Sequence, residues 1–203
     1  MYTPSFNQVT DRSTLLETMR AHSFAILFGP GADGTPTATH LPLVVRDEGP
    51  HGVLEGHFAR ANAHRQGLDG RETLVVFPGP HAYVSPSLYA EQLSVPTWNY
   101  IAVHAYGTLE RVDDEPGKLA LLDELIQCHD RAFAAQWADL PEGFRRTMLG
   151  NITGFRIPIA RIEGKFKLSQ NRSEIDRKSV REAHATGSPD ARALAAWMAR
   201  LGV

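Results

Sequence analysis

Hydrophobic positions recur along this chain with two different periods. Over residues 94–107, SVPTWNYIAVHAYG, they alternate. In a strand, Val95, Thr97, Asn99, Ile101, Val103 and Ala105 point one way, and Pro96, Trp98, Tyr100, Ala102, His104 and Tyr106 the other. One strand face then carries a Trp, two Tyr and a His, either as an aromatic core layer or as the wall of a pocket for a flat ligand. The strand runs on into GTLERV. Apolar runs predict further strands at 24–28, 36–46, 53–58 and 73–77, the last broken by Pro-Gly-Pro, and at 152–169, where Phe155, Ile157 and Ile159 share a side. The first two, joined by GPGADGT, read as a hairpin.

The second period is helical. DRSTLLETMRAH predicts a short helix with Asp11 as cap and Leu15, Leu16 and Met19 on one face. Residues 113–137 predict the longest helix, capped by Asp113, with Leu119, Leu122, Ile126 and Phe133 in register. ARANAHRQG suits a single helical turn and GFRRTML a short helix. Two helical segments close the chain, the last framed by Ser188, Pro189 and Gly202. Six or seven strands at short spacing, with helices clustered late, do not have the regular alternation of a doubly wound parallel sheet. The pattern implies an α+β fold, a mostly antiparallel barrel with peripheral helices. No repeat or low-complexity linker divides it. Residues 1–185 are expected to form one domain with inserted helices, and 186–203 a C-terminal helix packed on it or extending from it.

The 203 residues suffice to bury a substantial core. The net charge of −2 offers no global field for nucleic acid or an anionic membrane. A single cysteine, Cys128, excludes an intrachain disulfide and a multi-thiolate metal site, and fits a reducing compartment. No apolar run approaches the ~20 residues that span a bilayer, and the first residues lack a signal pattern, so the expected location is cytoplasmic. The sequons at Asn151 and Asn171 carry no meaning there.

GPGADG matches G-x-G-x-x-G, but a dinucleotide site needs a helix next, and TPTATHLPLVV is β-branched and alternating, so it reads as a hairpin turn. His40, His57, His81 and His104 lie on or beside strands at spacings without a zinc signature. No G-x-S-x-G elbow is present. GHFARANAHR brings Arg60, Asn62, His64 and Arg65 together after a strand, a set suited to a phosphate and equally to a solvated turn. In KFKLSQNR, Phe166 and Leu168 can face the core and leave Lys165, Lys167 and Ser169 opposite, with Gln170, Asn171 and Arg172 at the strand exit. These donors suit a phosphate or ribityl chain, or simply a solvated edge. RSEIDRKSVREAH is interrupted by Glu174, Asp176 and Glu182 and reads as a solvated helix, not a DNA-reading one.

MYTPSFN, ATHLPL, GHFARAN, LVVFPGPHAYVSP, VPTWNYIAVHAYG and KLSQNR, in this order over about residues 1–180, resemble the PaiB-type family of FMN-binding negative transcriptional regulators. The resemblance implies a split β-barrel related to pyridoxamine-phosphate oxidases and small flavin reductases, a homodimer, and FMN at the subunit interface. It implies that the aromatic face helps wall a flavin-sized cleft. By the same resemblance, backbone around Thr39, His40 and Leu41 faces the isoalloxazine and Arg60 and Asn62 bind the phosphate. Trp98, Lys167, Ser169, Gln170 and Arg172 complete the cleft, from the same or the other subunit. Leu88 stands where the family has an aromatic, and Asn62-Ala63-His64-Arg65 where it has Asn-Pro-Gln-Trp.

The functional expectation is an FMN-binding homodimer used in regulation, with DNA as a partner through the family role and no membrane. An alternative is a flavin-dependent oxidoreductase of a small molecule, with Tyr83, His40 and His104 as candidate proton donors. A further alternative is a haem-utilisation protein, with His51, His64 or His184 as candidate ligand.

Overall fold

A computed structural model describes residues 1–203. A 3-10 turn at Ser5–Asn7 leads into β1 (Gln8–Val9), α1 (Arg12–Ala21), β2 (Phe24–Pro30), β3 (Pro36–Pro42), β4 (Val44–Arg46), β5 (Val53–Ala59), α2 (His64–Leu68) and β6 (Glu72–Val84). Then follow β7 (Thr97–Thr108), β8 (Glu110–Val112), α3 (Glu115–His129), α4 (Phe133–Asp139), α5 (Glu142–Gly150), β9 (Ile152–Lys167), α6 (Glu174–Ala185) and α7 (Pro189–Leu201). The strands form one sheet in the order β3-β2-β6-β7-β9-β5-β4, with β1 and β8 also on β9.

The chain divides into two compact units. One comprises 1–15, 78–103 and 163–203; the other comprises 16–77 and 104–162. In the first, Ile101, Val103, Phe166, Leu168, Val180, Leu194 and Met198 are buried, and Phe166 meets Trp197 edge-on at 5.0 Å between ring centres. In the second, Leu27, Leu54, Val75, Phe77, Phe155 and Ile157 are buried, and Phe58 packs on Phe155 at 4.8 Å. Full burial of each such side chain stabilises the fold by about 1.5–3 kcal/mol before entropy is counted.

The β2–β3 hairpin forms as the sequence predicts, Phe24 opposite Pro42 through Pro30 opposite Pro36. The predicted strand over 36–46, however, is two strands. Pro42 has no N–H to extend a ladder, Leu43 turns inward, and β4 pairs with β5 instead. The expected break at Pro-Gly-Pro does not occur, because β6 runs straight through it. A proline's φ suits extended backbone, and Gly79 lets the strand pass close to Ile101, whose carbonyl oxygen would stand 2.9 Å from an added Cβ.

The long predicted helix is likewise interrupted, at Asp130, into α3 and α4. Its cap is Asp114, whose Oδ1 accepts from Gly117 N at 2.8 Å, while Asp113 pairs with Arg111 at 2.6 Å. Leu121 and Leu125, one position off the predicted stripe, are the residues buried against Val44. Trp137 on α4 donates Nε1–H to Asp123 on α3 at 2.8 Å. At the end of the chain, Ser188 caps α7 and Gly202 closes it in the left-handed conformation, as predicted.

Candidate functional site

β7 answers the question posed by its sequence. Asn99, Ile101, Val103 and Ala105 are buried, while Trp98 is 50% exposed and Tyr100, Ala102, His104 and Tyr106 are half-buried. The aromatic residues are the accessible face, not the core layer.

In the unit holding 78–103 and 163–203, the start of β7 meets the end of β9. Lys167 donates from Nζ to Thr97 Oγ1 and, at 2.7 Å, to the carbonyl of Trp98. Burial, then the positive charges of Lys165 and Arg172, hold the Lys167 ammonium below its ordinary pKa. Lys165, expected on an open face, is buried; its Nζ donates to the carbonyl of Tyr2 at 2.9 Å and lies 5.2 Å from the Tyr100 ring centre. Ser169 is buried too, and it has φ 67°, the one non-glycine residue in left-handed backbone. Its Oγ donates to Asn99 Oδ1 at 3.1 Å, while Asn99 Nδ2 is buried without a hydrogen-bond partner. Gln170 folds back on its own turn, accepting from Leu168 N at 2.7 Å and donating to the Phe166 carbonyl. The Arg172 guanidinium lies over the Tyr89 ring at 3.9 Å. Trp98, Lys167, Ser169, Gln170 and Arg172 therefore belong to one neighbourhood, to which the structure adds Asn99, Lys165, Tyr89 and Tyr100.

The other named residues lie in the second unit. Beyond β5 the chain turns through Ala59–Asn62 into α2. Asn62 Oδ1 accepts from His64 N at 3.0 Å and its Nδ2 reaches Thr39 Oγ1 at 3.5 Å; Thr39 Oγ1 and His64 Nδ1 share a hydrogen bond of 2.8 Å. His64 is only 4% exposed, and its Nε2 has no hydrogen-bond partner. Burial holds its pKa below the ordinary value, and the adjacent Gly29 backbone offsets part of that, without hydrogen-bond geometry. Gly67 makes this placement possible: a Cβ there would stand 2.0 Å from the Pro30 carbonyl oxygen.

Arg60 is exposed, with Nη1 donating to the Gly150 carbonyl at 3.1 Å. His40 lies on the outer side of β3 beside Phe24, rings 6.3 Å apart, and Leu41 is buried. β3 is an edge strand, with only β2 as strand neighbour. Thr39 and Asn62 thus meet through His64, whereas the side chains of His40 and Leu41 diverge. His64, two residues after Asn62, was already named by the sequence, but as part of an exposed donor set and not as a buried imidazole. Sequence reading missed Asn99, and its signal was a polar residue at a buried parity in β7.

A third feature lies in the first unit. Trp98, His81, Tyr83 and the α6–α7 turn line a cleft of about 680 Å³. His81 and Trp98 have ring centres 5.7 Å apart, and Tyr83 meets Trp98 edge-on at 6.0 Å.

The family profile described as "Putative FMN-binding domain" matches residues 1–161. The chain belongs to this PaiB-type FMN-binding family. It is 36% identical over 185 residues, 90% of this chain and 88% of the relative, to the "Protease synthase and sporulation protein PAI 2" of Bacillus subtilis. It is 31% identical over 182 residues to an uncharacterized protein of Emericella nidulans, AN0679, covering 70% of this chain and 72% of that one. Among solved structures it is similar to the flavocytochrome Anf3 from Azotobacter vinelandii, with TM-score 0.65, 17% identity and coverage of 85% and 75%. It is also similar to the FAD and heme binding protein from Mycobacterium smegmatis, with TM-score 0.59, 19% identity and coverage of 90% and 81%. The fold is an α+β split barrel, mostly antiparallel with peripheral helices, and FMN is the cofactor that family membership assigns. No helix is long and apolar enough to cross a membrane.

Proposed function

We propose that the chain works as a homodimer that binds FMN at the subunit interface and serves as a negative transcriptional regulator. The observation that carries the homodimer is the outward face of β2, β3 and β6. Ile26 pairs with His40 on one side and Val76 on the other, and Phe28 with Ala38 and Leu74. Phe24 is 63% and Phe28 37% exposed. An apolar sheet face of this kind suits a second copy in a two-fold interface, where the same patch meets itself.

The residues present fit a flavin phosphate and polyol. Asn99 Nδ2 is a buried donor without a partner, and Lys167 and Arg172, close enough to feel each other's charge, bring positive charge to the same unit. Thr39, His40 and Leu41 offer the open backbone edge of β3, and Arg60 and Asn62 stand where the chain leaves β5. Trp98, Ser169 and Gln170 complete the set. FMN, when bound, supplies the redox chemistry, and the protein's part is to hold and orient it. The regulator role rests on the family resemblance.

Incubation with FMN, desalting and an absorbance spectrum, with molar mass measured on the same sample, test the first part. The expected result is a retained flavin band at dimer mass, and Phe28→Asp should lower both mass and retention. A monomer that keeps its flavin overturns the interface reading. A shift assay on DNA upstream of the protein's own gene, at low salt where binding is strongest, tests the regulator. Absence of a shift removes that role, and bleaching of the flavin band by NAD(P)H would point to an oxidoreductase instead.

A further inference from the structure

The α6–α7 turn closes one side of the cleft that Trp98, Tyr83 and His81 wall, and it lies beyond the residues that the family profile matches. Three features of this cleft point to one class of ligand. First, the rings of His81 and Tyr83 flank Trp98, and Trp98 and Tyr83 are half exposed, so π faces are open to a ligand. Second, the acid of the turn is at the rim: Asp190 Oδ2 stands 3.8 Å from His81 Nε2 and accepts from His81 N at 3.5 Å. Third, His184 lines the cleft at 4% exposure, and its Nε2 has no hydrogen-bond partner.

An anion finds little here. Pro189 has no N–H to offer at the start of α7, the Ala191 N–H is taken by Ser188 Oγ at 3.2 Å, and the Asp190 carboxylate would repel it. A cation finds aromatic faces, a carboxylate and an imidazole nitrogen. We propose that this cleft is a binding site for a small organic cation, a protonated amine whose ammonium group sits against Trp98 and Tyr83 and donates to Asp190 and, once the His184 ring turns outward, to its Nε2, which is closed to solvent in the free protein. Burial keeps the His184 imidazole below its ordinary pKa, in the neutral form that can accept such a hydrogen bond. Cation–π contact is strongest with indole and grows when the cation is desolvated, which a cleft of about 680 Å³ allows for a small amine.

The proposal does not rest on bound flavin, although Trp98 also belongs to the proposed flavin set. The test is therefore calorimetric titration of the full chain, with and without FMN, using benzylammonium, benzyl alcohol and benzoate as probes. Saturable binding of benzylammonium is expected, about tenfold tighter than benzyl alcohol, with benzoate weakest. Asp190→Asn and Tyr83→Leu should each weaken benzylammonium several-fold, with a thermal midpoint lowered by no more than ~4 °C and unchanged FMN retention. No saturation by benzylammonium up to ~10 mM overturns the proposal. So does equal affinity for the alcohol, preference for benzoate, or wild-type affinity in both variants. A parent protein that retains no FMN yet binds benzylammonium would remove the flavin reading and leave the amine site standing.

Discussion

Ser169 offers a test in which two substitutions at one position must differ in a set order. The residue has φ 67° in a buried turn, and its Oγ donates to Oδ1 of Asn99, which is 0% exposed. Ser169→Ala removes the donor and keeps a Cβ in left-handed backbone. An acceptor left unpaired in that interior costs about 1–3 kcal/mol. Ser169→Gly removes the same donor but also relieves the left-handed strain, about 1–2 kcal/mol. Part of that relief is offset by about 0.5–1 kcal/mol from the greater freedom of glycine in the unfolded chain. The alanine variant should therefore be about 1–3 kcal/mol less stable than the parent, and the glycine variant should recover up to about 1.5 kcal/mol of that loss. Urea unfolding at constant slope measures both. In a chain of this size each kcal/mol moves the thermal midpoint by roughly 2–4 °C. An alanine variant more stable than the glycine one would refute the left-handed turn, and a parent-like alanine variant would refute the Asn99 hydrogen bond.

Gly67→Ala should destabilise by more than the ~1–3 kcal/mol of ordinary overpacking, because its Cβ meets the carbonyl oxygens of Pro30 and Gly31 at 2.0 and 2.6 Å, and backbone yields little. Thermal unfolding with near-normal behaviour would exclude that approach. Glu55 is buried between Arg46, at 2.5 Å, and Arg156, an ion-pair contact at 2.8 Å; because both guanidinium groups are partly exposed, Glu55→Gln should cost about 1–3 kcal/mol by denaturant unfolding. A loss under ~0.5 kcal/mol would mean solvent already screens the pair. Burial depresses the pKa of His57, His64 and His184, so the unfolded chain takes up protons before the folded one. Their effect is absent above the ordinary histidine value near 6.5, and stability falls as pH drops below it toward the folded values. A thermal midpoint flat from pH 7 down to about 5 would contradict this burial.

Local pattern carried much of the architecture. Alternation in β7 and β9 places Ile101, Val103, Phe155 and Ile157 inside, because a strand has one geometry and parity alone sorts its faces. The caps at Asp11 and Ser188 are equally local, each a side chain reaching an amide three residues on. The misreadings arose where a distant partner overrides the local signal. Pro-Gly-Pro reads as a break until Ile101 lies alongside, and residues 36–46 read as one strand until β5 takes Val44–Arg46 as its neighbour.

The site divides the same way. By itself the sequence determined which residue types gather in GHFARAN, VPTWNY and KLSQNR, and through them the family and its cofactor, because those blocks are contiguous and their chemistry travels with them. Only the tertiary structure decided that Lys165 and Ser169 are buried, that Asn99 and His64 keep unpaired polar atoms, and that Asp190 and His184 come to share a cleft with Trp98. Burial and hydrogen-bond satisfaction are properties of what surrounds a group. Residues far away along the chain supply those surroundings, so no local reading could assign them.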